Sequence, residues 1–539
     1  MFAGIIGHTG HLIQYPTMKK WTAVNLKLFA QLFWCHNPKA RLCHYATPSV
    51  GVDAVNYTEP LPQRRNYRTN GQSSLIPSSR INHILKSNEY SLKVNRADGR
   101  NASLMLEFDS NLLASNWPPE DRRSVATCLQ SKTNLFGVFD GHAGYACAQA
   151  VSERLFYYIA VSLLPLKTLE DIEAAVENER PLIPLLQWHK HPSYHASTEA
   201  GKLYFSSLRT YWQELIDLRE DGDRDVPAAL GNAFRRLDSD ISLEAQADFG
   251  ELGSHYMSLR VALSGCTACV AHIDGTELHV ANLGDSRAVI GVQEEDGSWS
   301  ALTITNDHNA QNPEEVQRVQ SQHPASEEKT VVKYDRLLGL LMPFRAFGDI
   351  RFKWSSELLK RVCEGHPDML PGIDFAKLLP PNYHTPPYLT AEPEVTHHSL
   401  RPQDKFIILA TDGLWELMHR QTVVQMVGEY LTGVHWQKPL SGHSFTVGQM
   451  LSLLVERKAR ALSTLEDKNV ATHILRQALG GDGFSNVDPR RLATMLSLPP
   501  ELARMYRDDI TVVVVWLNDP ILQIATGGTF SNNRITDPL

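Results

Sequence analysis

Apolar residues fall along this chain in runs of two kinds. Asn134 to Phe139, Thr267 to Ile273, Glu277 to Asn282, Ala288 to Val292, Lys405 to Ala410 and Ile510 to Leu517 are short, rich in β-branched or aromatic residues, and read as strands. Asp274-Gly275, which joins the Thr267 to Ile273 and Glu277 to Asn282 runs, is a hairpin signal. The β-branched run Ile510-Thr511-Val512-Val513-Val514-Val515 predicts a strand buried on both faces. Ala143 to Leu164, Leu169 to Glu179, Leu203 to Leu218 and Ala228 to Ile241 read as helices, and Thr422 to Met505 is mostly helical in pattern. No internal repeat is visible. Strands alternating with helices are equally compatible with a parallel α/β sheet.

The two ends differ from this body. From Met1 to Val52 there is no Asp or Glu, and Lys19, Lys20, Lys27, Lys39 and Arg41 supply the charge. Trp21 to Trp34 can form a basic helix with a broad apolar side. Residues 1–45 are therefore expected to be a mitochondrial transit peptide, cleaved near Leu42 to Tyr45; a docked or disordered arm is the alternative. Residues 46–80 read as a linker rich in Pro, Asn, Ser and Arg. The globular domain is expected over 81–525, with a tail at 526–539.

Composition narrows the function. The chain has 539 residues and a formal net charge of -8, which disfavours nucleic acid as a partner of its body. Its longest apolar stretches, such as Leu155 to Leu166, are too short to span a bilayer. Seven scattered cysteines suggest a reducing compartment. The sequons at Asn56 and Asn101 read as chance matches in an unsecreted chain. Cys266, Cys269 and His272 make only half a zinc site.

The chemistry lies in acidic motifs, most of them at the edges of strand-like runs. These are Glu120-Asp121, Asp140-Gly141-His142, Asp285, Asp412-Gly413 and Asp508-Asp509. Carboxylates at strand ends can converge on one cleft, where they repel each other unless divalent cations neutralise them. The pattern points to a two-metal hydrolytic site. Gly141 lets the backbone turn so that its carbonyl can face a cation. His142 titrates near neutral pH and could protonate a departing oxygen. For Asp285, a turn-stabilising acid is the plainer alternative.

Taken in order, Glu120-Asp121, Asp140 to Gly144, Gly284 to Ala288, Arg345 to Asp349, Asp412 to Trp415 and Asp508 to Thr511 resemble the protein phosphatase 2C family, metal-dependent Ser/Thr phosphatases. The resemblance runs from about Asp109 to Leu517. Ser152 to Ala160, Leu186 to Pro192, Leu337 to Gly348 and Pro380 to Thr390 resemble a mitochondrial branch of it, the pyruvate dehydrogenase phosphatase catalytic subunits.

The resemblance implies an α+β fold, a four-layer sandwich of two central antiparallel β-sheets flanked by α-helices. Helical insertions would lie over about 166–224 and parts of 363–380 and 433–502. It implies two Mg²⁺ or Mn²⁺ ions and a weaker third. Asp140 would bridge the two, Glu120 and the Gly141 carbonyl would serve one, and Asp412 and Asp508 the other. Asp121 would lie just outside them, and Asp285 would take the third. A water between the ions would attack phosphorus while His142 protonates the leaving oxygen. The implied substrate is phosphoserine on the dehydrogenase component of the pyruvate dehydrogenase complex, in the mitochondrial matrix. The implied docking partner is a lipoyl domain of the acetyltransferase core. A regulatory subunit and Ca²⁺ sensitivity occur in that branch. Three positions depart from the family pattern. Asn116 stands where an Arg usually holds the phosphate, leaving Asn116, Arg122 or Arg123 for that task. Glu416 stands for an Asp, and Asp509 for an Asn.

Overall fold

The last strand sets the layering. In the computed structural model every residue of β17 (Ile510–Leu517) is buried. Val513 and Val515 pack with Phe108, Phe136, Val138, Ile290 and Ile407 on one side. Val512, Val514 and Trp516 pack on the other side against Val424, Val427, Ile474 and Leu475. Successive side chains of a strand point to opposite faces, so a run this apolar needs a layer on each face.

The structure describes residues 76–93, 104–192, 194, 201–218, 225–247, 252–365, 378–433, 446–448, 450–452, 467–481 and 487–517. The expected transit peptide, most of the linker, both sequons and the tail lie outside them.

One sheet is built from β1 (Tyr90–Lys93), β2 (Met105–Leu113), β10 (Arg287–Gln293), β11 (Trp299–Thr303), β16 (Asp404–Ala410) and β17, in the order β1-β2-β17-β16-β10-β11. The second is built from β3 (Arg122–Cys128), β4 (Asn134–Phe139), β6 (Leu186–Trp188), β8 (Ala268–Asp274), β9 (Glu277–Leu283) and β15 (Glu394–Ser399), in the order β15-β9-β8-β4-β3-β6. Every pairing within these two sheets is antiparallel. The fold is thus the antiparallel sandwich, and the parallel sheet that strand–helix alternation left open does not occur among the described residues. A small third sheet joins β5 (Gly141–His142), β7 (Gly265–Cys266) and β14 (Phe347–Gly348), and β12 (Val332–Lys333) pairs with β13 (Arg336–Leu337).

Helices cover both outer faces. The Ala146–Leu163 and Val226–Glu244 helices, with the Gly201–Leu218 helix of the expected insertion, enclose one core with Leu135, Phe139, Val270 and Ala281. The almost wholly buried Ala146–Leu163 helix carries Arg154, whose guanidinium forks onto Glu244 at 2.6 and 2.8 Å and lies 4.1 Å from the Tyr204 ring centre. A buried charge is tolerated there because it is paired and hydrogen-bonded. On the other face, the Ser78–Lys86 helix begins within the expected linker and buries Ile81 and Leu85 beside the Val470–Gly480 and Pro489–Leu496 helices. Among the described residues no helix is long and apolar enough to cross a membrane.

The run from Leu337 to Phe344 divides. Leu337, Leu338 and Phe344 enter a satellite core with Tyr388 and Leu389, whereas Leu340 and Met342 remain exposed.

Gly291 on β10 lies directly opposite Phe406 on β16, and a Cβ there would come within 2.1 Å of the Phe406 ring. Gly291→Ala is expected to destabilise the protein by about 1–3 kcal/mol, the usual cost of overpacking. Denaturant unfolding measures this; an unchanged midpoint would contradict the packing described.

Candidate metal centre

Four strand ends deliver acids to one place. Asp140 sits between β4 and β5, Asp285 in the turn from β9 to β10, Asp412 just after β16, and Asp508 just before β17. Asp140, Asp285 and Asp412 each offer a carboxylate oxygen, and these oxygens lie within 4.8 Å of one another.

Local sequence explains each position. The Asp140 carbonyl accepts from the Thr267 amide at 2.8 Å, which fixes the end of β4 against β8. Gly141 then passes so close to Glu120 that a Cβ would lie 2.5 Å from the Glu120 carbonyl oxygen. Gly284, at φ +111°, makes the turn that presents Asp285, and its amide donates to His308 Nδ1 at 3.0 Å. Asp412 opens a single helical turn, and the Thr411 amide donates to the Thr511 carbonyl at 3.1 Å.

Asp509 ties the remaining acids in. Its carboxylate accepts from the amides of Ser115, Asn116, Glu120 and Asp121, at 2.5, 2.8, 2.7 and 3.2 Å. It therefore holds the loop that carries Asn116 and Glu120 against the start of β17. The Glu120 side chain accepts from the Gly144 amide at 2.6 Å. Asp121 is buried and accepts from the hydroxyls of Thr411 and Thr511 at 2.9 and 2.7 Å. Asn116 Nδ2 donates to Asp508 at 3.4 Å.

The electrostatics are those of an uncompensated anionic nest. Burial, with repulsion from Asp285 and Asp508, pushes Asp412 up to about 8. Burial and the charge of Asp307 push Asp285 up to about 6. Burial, and then the charges of Asp412 and Asp121, drive Asp140 well above the usual carboxylate range. Burial also raises Glu120 and Asp508. Asp412 Oδ1 is buried without a hydrogen-bond partner. An orphaned carboxylate oxygen facing two further carboxylates fits a hard divalent cation, which takes oxygen ligands.

His142 stands beside this nest. Its Nε2 meets Asp349 Oδ2 at 2.5 Å, and Asp349 is buried. Burial lowers the imidazole pKa, but the charge and hydrogen bond of Asp349 outweigh this and leave it above its ordinary value. Asp349 itself sits at φ +50°, with its amide on the Ser264 carbonyl at 3.0 Å. Sequence reasoning placed Asp349 in a motif without giving it a task. The motif's end against strand β7 is what brings it to His142. Reasoning from sequence also missed Asp307, which takes the Arg287 guanidinium at 2.8 and 2.6 Å beside Asp285, and Arg504, which pairs with Asp508. Arg504 lies in a short helix with no pattern of its own.

Two other candidates are placed elsewhere. Arg123 donates to the Asn88 carbonyl from the face of β3 opposite Arg122. Cys269 packs between the sheets while His272, three residues on along β8, points to the other face.

Comparison with known proteins places this arrangement. The profile described as Protein phosphatase 2C matches residues 186–438. The chain belongs to the protein phosphatase 2C family and is a protein serine/threonine phosphatase. It is 63% identical over 464 residues to human mitochondrial pyruvate dehydrogenase (acetyl-transferring) phosphatase 1, covering 85% of this chain and 86% of that one. It is 50% identical over 444 residues to human phosphatase 2 of the same name, covering 82% and 84%. The Saccharomyces cerevisiae phosphatase 1 of that name is 27% identical over 522 residues, covering 88% and 79%.

The carboxylate shifts fix the sign of a pH effect. An Asp in an unfolded chain loses its proton near pH 4, about the usual value. Asp285 and Asp412 keep theirs to about 6 and about 8 when folded. In that window the folded state binds more protons than the unfolded state, so these groups make the metal-free protein less stable as pH rises. A divalent cation held by these carboxylates would compete with the same protons. The stabilisation by Mg²⁺, read as a rise in Tm, is expected to be larger at about pH 8 than at about pH 6, and a hundredfold excess over Kd corresponds to about 2.7 kcal/mol. Asp412→Asn is expected to shrink it. Thermal melts at constant ionic strength check this, and equal Mg²⁺ shifts at both pH values would contradict it.

Proposed function

We propose that this phosphatase depends on Mg²⁺ or Mn²⁺ and removes phosphate from serines on the dehydrogenase component of the pyruvate dehydrogenase complex, in the mitochondrial matrix. The chemistry rests on one observation above all: three carboxylates, buried or half-buried, within 4.8 Å of one another, beside a histidine held by a buried aspartate. The substrate rests on relatives that bear its name in theirs.

In this reading Asp140, Asp412, Asp508, Glu120 and the Gly141 carbonyl hold two divalent cations, with Asp121 behind them. Asp285 serves a weaker third. When bound, such cations offset charge on phosphoryl oxygens and lower the pKa of a water that acts as nucleophile. His142 has Nε2 committed to Asp349, which leaves Nδ1 to pass a proton to the departing serine oxygen. Asn116, in the loop tethered by Asp509, faces the incoming phosphate. The nest must hold its oxygens in place before substrate arrives, and the tethered loop supports that preorganisation.

Reading the chain this way also implies docking on a lipoyl domain of the acetyltransferase core, which would raise the effective concentration of substrate. A regulatory subunit and a response to Ca²⁺ fit the same branch. Nucleic acid does not fit a chain of net charge -8.

Incubation of the protein with phosphorylated pyruvate dehydrogenase complex and Mg²⁺ tests the reading. Phosphate release is expected from the complex and not from an unrelated phosphoprotein. Asp140→Ala is expected to lower the rate at least about a hundredfold, the scale of losing a main electrostatic contact to the transition state. Equal release from both substrates would remove the assigned substrate while keeping the phosphatase.

A further inference from the structure

A phosphoryl dianion approaching a nest of carboxylates needs positive charge not already spent inside the fold. Among the described residues, most cations near the site are spent. Arg122 is committed to Gln149 and to the carbonyls of Pro119 and Asp121. Arg123 is turned to the other face of β3, onto Asn88. Arg287 forks onto Asp307 through Nε and Nη2. Arg507 is buried and donates to the carbonyls of Ala114 and Asp508.

Arg504 differs. It stands on the Pro500–Tyr506 helix, one turn before Asp508, with its side chain 51% exposed. Nη1 pairs with Asp508, while Nε and Nη2 make no hydrogen bond among the described residues. Because Asp508 is one of the acids of the nest, the guanidinium paired with it stands at the nest's solvent-exposed edge. Asn116 reaches the same Asp508 carboxylate from the neighbouring loop, but an amide brings no charge.

Resting on the phosphatase reading above, we propose that Arg504 is the phosphate-binding cation of this site. Its Nε–Nη2 edge, the edge by which Arg287 grips Asp307, takes two oxygens of the phosphoserine phosphoryl group while Nη1 keeps Asp508. The charge that Asn116 lacks is supplied from a different element on the same rim. The ligand class is a phosphomonoester dianion on a peptide, and the product, inorganic phosphate, meets the same edge.

The test measures inorganic phosphate binding to the full-length, Mg²⁺-saturated protein by calorimetry, alongside KM and kcat for the phosphorylated substrate and the Mg²⁺ concentration giving half-maximal rate. Arg504→Gln is expected to weaken phosphate binding and raise KM at least about tenfold, as losing a charge-assisted hydrogen bond does. Arg504→Lys should recover part of this. Arg420→Gln, an exposed arginine on the neighbouring polar groove, should change neither. Thermal melts establish that each variant is folded. Unchanged phosphate affinity in Arg504→Gln overturns the proposal. So does a shift confined to the Mg²⁺ midpoint, which would make Arg504 a brace for Asp508. Wild-type protein that binds phosphate through Arg504 yet releases none from the pyruvate dehydrogenase complex would sink the proposed substrate and leave the assignment of Arg504 standing.

Discussion

Like charges held together out of water are the constraint around which this molecule is organised. Carboxylates held within 4.8 Å of each other and largely out of water cannot all ionise at the usual pH without a counter-charge. The cost appears as the proton that Asp412 keeps to about 8, and as its orphaned Oδ1. A fold that sought only stability would replace such a nest with apolar side chains, as buried ionic groups often can be. In the proposed reading, keeping it lets cations bind in competition with protons, so that binding strength and chemistry would come from one electrostatic source.

The sandwich supplies the rigidity this requires. A carboxylate on a loop would swing away from its neighbours, whereas one at a strand end is fixed by the ladder behind it. β4 delivers Asp140, β16 delivers Asp412 and β17 delivers Asp508. The last two strands are hydrogen-bonded neighbours, with Ala410 opposite Val512. Asp509 extends this order to the loop between β2 and β3, by gathering four amides of residues 115–121 on a single carboxylate. The same Asp509 carbonyl crowds Gly413, where a Cβ would come within 2.1 Å, so the two motifs interlock at backbone level.

Much of this was legible in the sequence. Strands β4 and β17 were readable to the residue, because their apolar runs are bounded by polar turns. The double-sided burial of β17 followed from its unbroken β-branched content. By contrast β2 was missed, since Asp109, Ser110 and Asn111 break its pattern; Asp109 and Asn111 are satisfied by Asn469, Thr472 and the Val470 amide, hundreds of residues away, and Ser110 donates to the Tyr90 carbonyl. Sheet direction was not readable either, since alternating elements specify neighbours and not polarity. The acids of the site were visible as motifs at run edges. Their tasks were less visible where they depend on tertiary partners. Asp349 gains meaning only through His142, Asp509 only through the loop it tethers, and Arg504 only through the strand that follows its helix.

Mn²⁺ binding to the metal-stripped protein, followed by electron paramagnetic resonance, tests the central claim most directly. The account predicts that the wild-type protein takes up ions close enough to be magnetically coupled, and that Asp140→Asn loses the coupled signal while staying folded. Binding of isolated, uncoupled Mn²⁺ that is indifferent to Asp140 would contradict it.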